Sequence, residues 1–406
     1  MLFRSHEFAG GNSWIPEVLR LEYPALGLDT ELAATRDAAV RLLQQQSAGV
    51  SMVVPPGAVP GGTLSVQVKV TNLTGHKLPT GYPEGRRMWL HVVARDGNGA
   101  TFWESGAYDP ATGVLTHDPA LKVYEAKPGI WNRNDTNACD TTDGAGPPIF
   151  HFARNDCIAV DDRIPPLGFT GGANPEIRPV AYAYPETSPG SGRLVNFDVT
   201  SYAVPVPAPT VSPITVTATL RFQATSKEHV EFLRDEAVVN AFPKDCIQRT
   251  TGPPDKSRGA LMYDMWTRNG RSAPVTMGTA SGVAAIPATP GEASRSTPMQ
   301  VASYDRTSGN VTLGYTPACA AADHTVYIGR LADLATMTFS EQACGLGASG
   351  SAAVHLGAES YFWLIVGKDG TTEGSYGTGA DGVERPEDTL LPACNVPQDL
   401  SRRCDP

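Results

Sequence analysis

Long apolar runs are missing from this chain. The most conspicuous one, Tyr361-Phe-Trp-Leu-Ile-Val366, is only strand length, so no membrane-spanning segment is expected. Charge is sparse and lacks a basic excess: charged residues make up 18 %, with 42 Asp and Glu against 32 Lys and Arg and a net charge of −10. That excludes a dedicated nucleic-acid binder, which carries a basic face. No two cysteines form C-x-x-C, which excludes a zinc ribbon or a thioredoxin-like site. H-E-x-x-H, G-x-S-x-G and a Walker loop are absent, and nothing assembles a nucleophile, a base and an oxyanion hole. No enzyme class is therefore indicated. Gly377-Thr-Gly-Ala-Asp-Gly382 formally matches G-x-G-x-x-G, but Glu384-Arg-Pro-Glu follows it instead of a helix, so no dinucleotide site is expected.

What is abundant is punctuation. The 406 residues include 41 glycines and 34 prolines, a composition suited to a turn-rich β-protein of two or three domains. Seven cysteines lie at scattered spacings, which points to disulfides in an oxidising compartment, periplasmic or extracellular. Local pairing would join Cys139 to Cys157, Cys319 to Cys344 and Cys394 to Cys404, leaving Cys246 over. No export signal opens the sequence: Met1-Leu-Phe-Arg-Ser-His6 runs straight into Gly10-Gly11. The expectation is that the natural start lies upstream.

The apolar pattern changes period along the chain. Trp14, Val18, Leu19 and Leu21 predict a short helix, and Leu32, Ala39, Leu42 and Leu43 predict a second over Glu31–Gln46, ended by Gly49. From Val50 the period is two. Leu64, Val66, Val68 and Val70 share one face; Met88, Leu90 and Val92 repeat the pattern, with Trp89 and Val93 opposite. Asp96-Gly97-Asn98-Gly99 is a hairpin turn returning through Thr101–Glu104. Ile214, Val216, Ala218, Leu220 and Phe222 form another alternating strand, and Lys227–Asn240 reads as a helix. The stretch between, about 105–210, reads as long connections. The expected fold is mainly β. A helical segment over 1–49 leads into an immunoglobulin-like β-sandwich with long insertions over 50–272. An Ala-, Pro-, Gly- and Ser-rich linker at 273–297 precedes a second β-module over 298–406.

One loop stands out between two strands: Asn72-Leu-Thr-Gly-His-Lys-Leu-Pro-Thr-Gly-Tyr-Pro-Glu-Gly-Arg-Arg87. Its prolines and glycines exclude helix, and a polar loop on a rigid scaffold is a common way to build a site. It presents His76 at one end and Arg86 and Arg87 at the other. His6 lies in a similar glycine-flanked turn. Neutral imidazole is a good axial ligand for haem iron, and guanidinium forks suit propionates. The alternatives are plain surface histidines and a strand-end ion pair from the arginines to Glu84 or Asp96. Asp161 and Asp162 suggest a calcium site or, alternatively, a turn paired with Arg163. C-x-x-C-H is absent, so this chain by itself cannot hold a c-type haem covalently.

His6-x-Phe-x-Gly-Gly-Asn12, the Asn72–Arg87 loop, Val123-Tyr-Glu125, Asp162-Arg163-Ile-Pro-Pro-x-Gly-Phe169 and Leu220-Arg-Phe-Gln223 together resemble the C-terminal region of bacterial multihaem cytochromes c, over about residues 1–240. The resemblance implies electron transfer. It makes His6 and His76 candidate distal ligands for haem c bound by an upstream segment or a cytochrome subunit. Gly309-Asn-Val-Thr-Leu-Gly-Tyr315, Tyr327 and Glu373-Gly-Ser375 are similar to fibronectin type III modules, with Tyr315 where tryptophan is commoner. The competing expectation is a non-redox secreted β-sandwich protein that binds a polysaccharide or a partner protein.

Overall fold

The computed structural model describes residues 9–81, 84–151, 153–239, 257–391, 393–394 and 396–405. His6 and Cys246 lie outside these residues. The chain divides into two compact units, Met1–Ile286 and Pro287–Pro406.

The first unit opens with helices α1 (Ile15–Glu22) and α2 (Asp29–Leu42). Asn12 Oδ1 accepts the Ile15 N–H at 3.0 Å and so starts α1. The second helical stretch covers the expected Glu31–Gln46. Its α-helix ends at Leu42 and passes through a π-turn, Leu43–Ser47, in which Ser47 Oγ donates to the Leu42 carbonyl at 2.8 Å. Gly49, the expected stop, lies inside strand β1 (Ala48–Val53), opposite Thr71.

Strand β2 (Thr63–Asn72) buries Leu64, Val66, Val68 and Val70 and turns Ser65, Gln67 and Lys69 outward, as its alternation predicts. Strand β3 (Arg87–Arg95) follows the loop and is buried on both faces. The hairpin at Asp96 leads to β4 (Thr101–Ser105). The long connection after it holds six short strands: β5 (Tyr108–Asp109), β6 (Val114–Leu115), β7 (Val123–Tyr124), β8 (Ala126–Trp131), β9 (Cys139–Asp140) and β10 (Cys157–Asp161). Three longer strands complete the unit, β11 (Phe197–Pro205), β12 (Ile214–Gln223) and β13 (Val275–Ala284), with helices α3 (Lys227–Val239) and α4 (Arg258–Arg268) between the last two.

The longer strands form two antiparallel sheets, β1-β2-β11 and β13-β12-β3-β4, with β7 also paired to β3, while the insertion forms two small sheets of its own, β10-β8-β9 and β5-β6. Val66, Val68 and Val204 from one sheet and Leu90, Val92 and Val216 from the other share one core, so the unit is a β-sandwich. The expected linker at 273–297 is therefore corrected in its first part: Val275–Ala284 is a full strand against β12. Its small residues are needed there. A Cβ on Gly278 would stand 2.9 Å from Val50 Cγ2, and one on Gly282 would stand 2.6 Å from Val54 Cγ2. Helices α1, α3 and α4 bury Trp14, Val18, Val230 and Trp266 in a satellite cluster.

The second unit has strands β14 (Gln300–Asp305), β15 (Asn310–Gly314), β16 (Asp323–Arg330), β17 (Glu341–Ala343), β18 (Ser351–His355) and β19 (Tyr361–Lys368). They form two three-stranded antiparallel sheets, β14-β15-β18 and β17-β16-β19, around Leu313, Val326, Ile328, Ala352 and Ile365. The tail beyond Gly370 is turns, as expected, but its cysteines pair differently. Cys139 joins Cys157 as expected, whereas Cys319 joins Cys404 and Cys344 joins Cys394. Each of the latter bridges stitches the tail to the strand framework; spacing along the chain favoured local partners and could not reveal this. Three disulfides suit an extracytoplasmic protein. No helix among the described residues is long and apolar enough to cross a membrane.

Candidate functional site

The loop between β2 and β3 is pinned from below by Asn72, the last residue of β2 and fully buried. Its Nδ2 donates to the carbonyls of His76 at 2.7 Å and Ile164 at 2.8 Å, while its Oδ1 accepts from Thr74 N and Thr74 Oγ1, both at 2.8 Å. Leu78 and Ile164 exchange backbone hydrogen bonds at 2.9 Å in each direction. The loop base is thus fixed by hydrogen bonds that leave few groups unsatisfied.

On this base His76 is exposed, and among the described residues neither of its ring nitrogens has a hydrogen-bond partner. It opens on a groove of about 430 Å³. Ile158, Phe169 and Ile177 give the groove apolar wall; Lys77, Arg163 and Arg178 give it positive charge. Lys77 Nζ and the Arg163 guanidinium both bind Asp161, at 2.7 and 2.8 Å. Burial by itself would raise the Asp161 carboxyl, but Arg163 and Lys77 together hold it below its usual range. Arg178 is exposed and has no side-chain partner among the described residues. Sequence reasoning passed over Arg178, since its neighbourhood carries no motif and only the fold brings it to His76.

The two arginines at the far end of the loop do not join this groove. Arg87 is buried: its Nε donates to Gln223 Oε1 at 2.9 Å, and its Nη1 lies 3.2 Å from Glu228 Oε2. The partner is therefore on α3, in place of the expected Glu84 or Asp96. Arg86 Nη1 donates to the Thr80 carbonyl within the loop, and burial lowers its guanidinium below the usual arginine range. Gly81 and Gly85, both at positive φ, make this possible: a Cβ at Gly81 would collide with Arg86 Nη1, and one at Gly85 would stand 2.5 Å from His229 Cβ.

Asp161 and Asp162 are both engaged by the protein's own donors, Asp161 with Arg163 as the alternative reading expects. Asp161 is taken up by Lys77 and Arg163, while Asp162 accepts from Lys122 Nζ at 2.9 Å and from Glu125 N at 2.8 Å. Among the described residues one group has metal-binding spacing, Cys319, Cys404 and Asp405, and its two sulfurs are spent in a disulfide.

The residues around His76 fit a haem iron in donor type: an exposed imidazole free at both nitrogens, apolar wall for a macrocycle, and an unpaired guanidinium for a carboxylate.

No family model matches the chain, and no curated protein matches it. Among solved structures, a penta-haem cytochrome c552 from Thermochromatium tepidum overlaps 60 % of this chain and 41 % of its own length, at 16 % identity and a TM-score of 0.32. An Escherichia coli alpha-2-macroglobulin activated by porcine elastase overlaps 80 % of this chain and 19 % of its own, at 9 % identity and a TM-score of 0.19. This chain thus spans less than half of either protein. Overlaps this loose leave the function to the chain's own residues.

Proposed function

We propose that this chain is the haem-capping and docking part of an exported, periplasmic or extracellular, multihaem electron-transfer assembly. The haem is attached to a separate segment or cytochrome subunit, because this chain has no C-x-x-C-H of its own. The observation that carries the reading is His76: an exposed imidazole without a partner among the described residues, held on a pinned loop beside a groove of about 430 Å³. Haem bound there would supply the one-electron chemistry. His76 would give the iron a nitrogen ligand, Ile158, Phe169 and Ile177 would hold the macrocycle against apolar wall, and Arg178 would meet a propionate. Arg86 and Arg87 are engaged inside the unit and take no part.

The test uses a haem c-bearing peptide that carries its own C-x-x-C-H histidine. Adding the purified chain should convert the ferric peptide from high spin to a low-spin bis-histidine spectrum. His76→Ala should abolish the conversion, and Arg178→Ala should weaken it by several-fold, on the order of one lost charge-assisted hydrogen bond. A spectrum that His76→Ala leaves unchanged would remove His76 and the haem reading with it.

A further inference from the structure

We propose that the first unit holds a second ligand site, a small cavity beside Arg87 that takes a compact carboxylate with an apolar body, of about the size of benzoate. The cavity has a volume of about 170 Å³ and lies between the start of β3, the β7–β8 segment and α3. Val123, Ala126, Ile149 and Phe150 supply apolar wall. Two ion pairs line it: Arg87 with Glu228, and Lys127 with Glu125 at 2.8 Å, the second pair neutralising itself.

The donors of Arg87 mark the site. This side chain is 5 % exposed. Gln223 takes its Nε–H, and Glu228 stands 3.2 Å from Nη1. Its Nη2, buried, has no hydrogen-bond partner among the described residues. A buried guanidinium with unused N–H donors is destabilising, and the group that satisfies it best is a carboxylate. His117, Thr141 and Ser226 are also in the wall, and Val123, Ala126, Pro148, Ile149 and Phe150 offer an aromatic body apolar contacts. An apolar cavity of about 150 Å³ is known to hold benzene, so the extra space here is of the order of the carboxylate itself. A porphyrin is far too large. The site is independent of His76, which lines a different groove.

The test titrates the full chain with sodium benzoate and with benzyl alcohol, which has the same ring without the charge, by calorimetry. Benzoate should bind one molecule per chain, about tenfold or more tightly than benzyl alcohol, the size expected for a charge-assisted hydrogen bond. Glu228→Gln removes the competing carboxylate and should tighten benzoate binding several-fold. Ile149→Trp and Ala126→Leu each fill the cavity from a different wall and should abolish binding. Circular dichroism checks that each variant folds, and either folded variant suffices. Absence of benzoate heat, equal affinity for the alcohol, weaker binding in Glu228→Gln, or binding that survives a folded filling variant would each overturn the proposal. The readout contains no haem, so its failure leaves the His76 reading standing.

Discussion

His229 shows what burial does to a single imidazole. It sits on α3 with its ring edge-on to Phe150, 5.1 Å between centroids, and its buried Nδ1 has no partner among the described residues. Burial lowers its pKa from 6.5 to about 4. Between those values the unfolded chain binds a proton that the folded chain refuses. Stability therefore falls as pH is lowered from about 6.5 toward 4, by up to roughly 3 kcal/mol from this one group. His229→Leu removes the titration. Urea midpoints at pH 7 and pH 4.5 should differ less in this variant than in the parent chain. An equal acid loss in both would show that the ring is solvated. His76 is the opposite case at the same scale: exposed and free, its use depends on a ligand rather than on the core.

At the scale of elements, the strands that alternate cleanly were legible. β2, β3 and β12 form where Leu64–Val70, Met88–Val92 and Ile214–Phe222 alternate, and the hairpin at Asp96 turns where Asp-Gly-Asn-Gly predicts. Three elements were hidden for physical reasons. β13 looks like a linker because Gly278 and Gly282 must be small under Val50 and Val54, and small residues are also what linkers contain. β11 was missed because it buries a polar residue, Asp198, whose carboxylate accepts from Tyr124 Oη at 2.9 Å and from Tyr182 Oη. α4 depends on a close crossing with α3, which no local pattern reveals. The candidate site divides in the same way. The punctuated loop around His76 was visible, but the inward course of Arg87 is set by Glu228 on α3, far along the chain. The α3–α4 crossing gives a sharp test. A Cβ on Gly259 would fall far inside contact distance of the Leu233 carbonyl oxygen, and backbone cannot swing aside as a side chain can. Gly259→Ala should destabilise the first unit by about 2–4 kcal/mol, despite alanine's better helix propensity. A thermal midpoint at or above that of the parent would show that the helices do not cross this closely.

For the molecule as a whole, the two units depend on covalent linkage to different degrees. In the first, the Cys139–Cys157 bridge spans a separation of 18 residues inside an insertion, while the sandwich core of Val66, Leu90 and Val216 contains no cysteine. In the second, Cys319–Cys404 and Cys344–Cys394 span separations of 85 and 50 residues and fasten a tail that has little secondary structure. That tail supplies part of the interior: Glu373 is fully buried and accepts from Tyr327 Oη at 2.7 Å and Tyr376 Oη at 2.5 Å. Loops of these lengths correspond to about 4 kcal/mol of chain-entropy stabilisation for each bridge. Two such terms rival the whole stability of an ordinary domain, roughly 5–15 kcal/mol. Under a phosphine reductant the second unit should therefore melt far earlier, while the first shifts only slightly. Calorimetry of the full chain, oxidised and reduced, should resolve this as one transition that moves by tens of degrees beside one that stays. If the transition that moves belongs instead to the first unit, assigned by its response to Gly259→Ala, then the tail does not depend on its bridges.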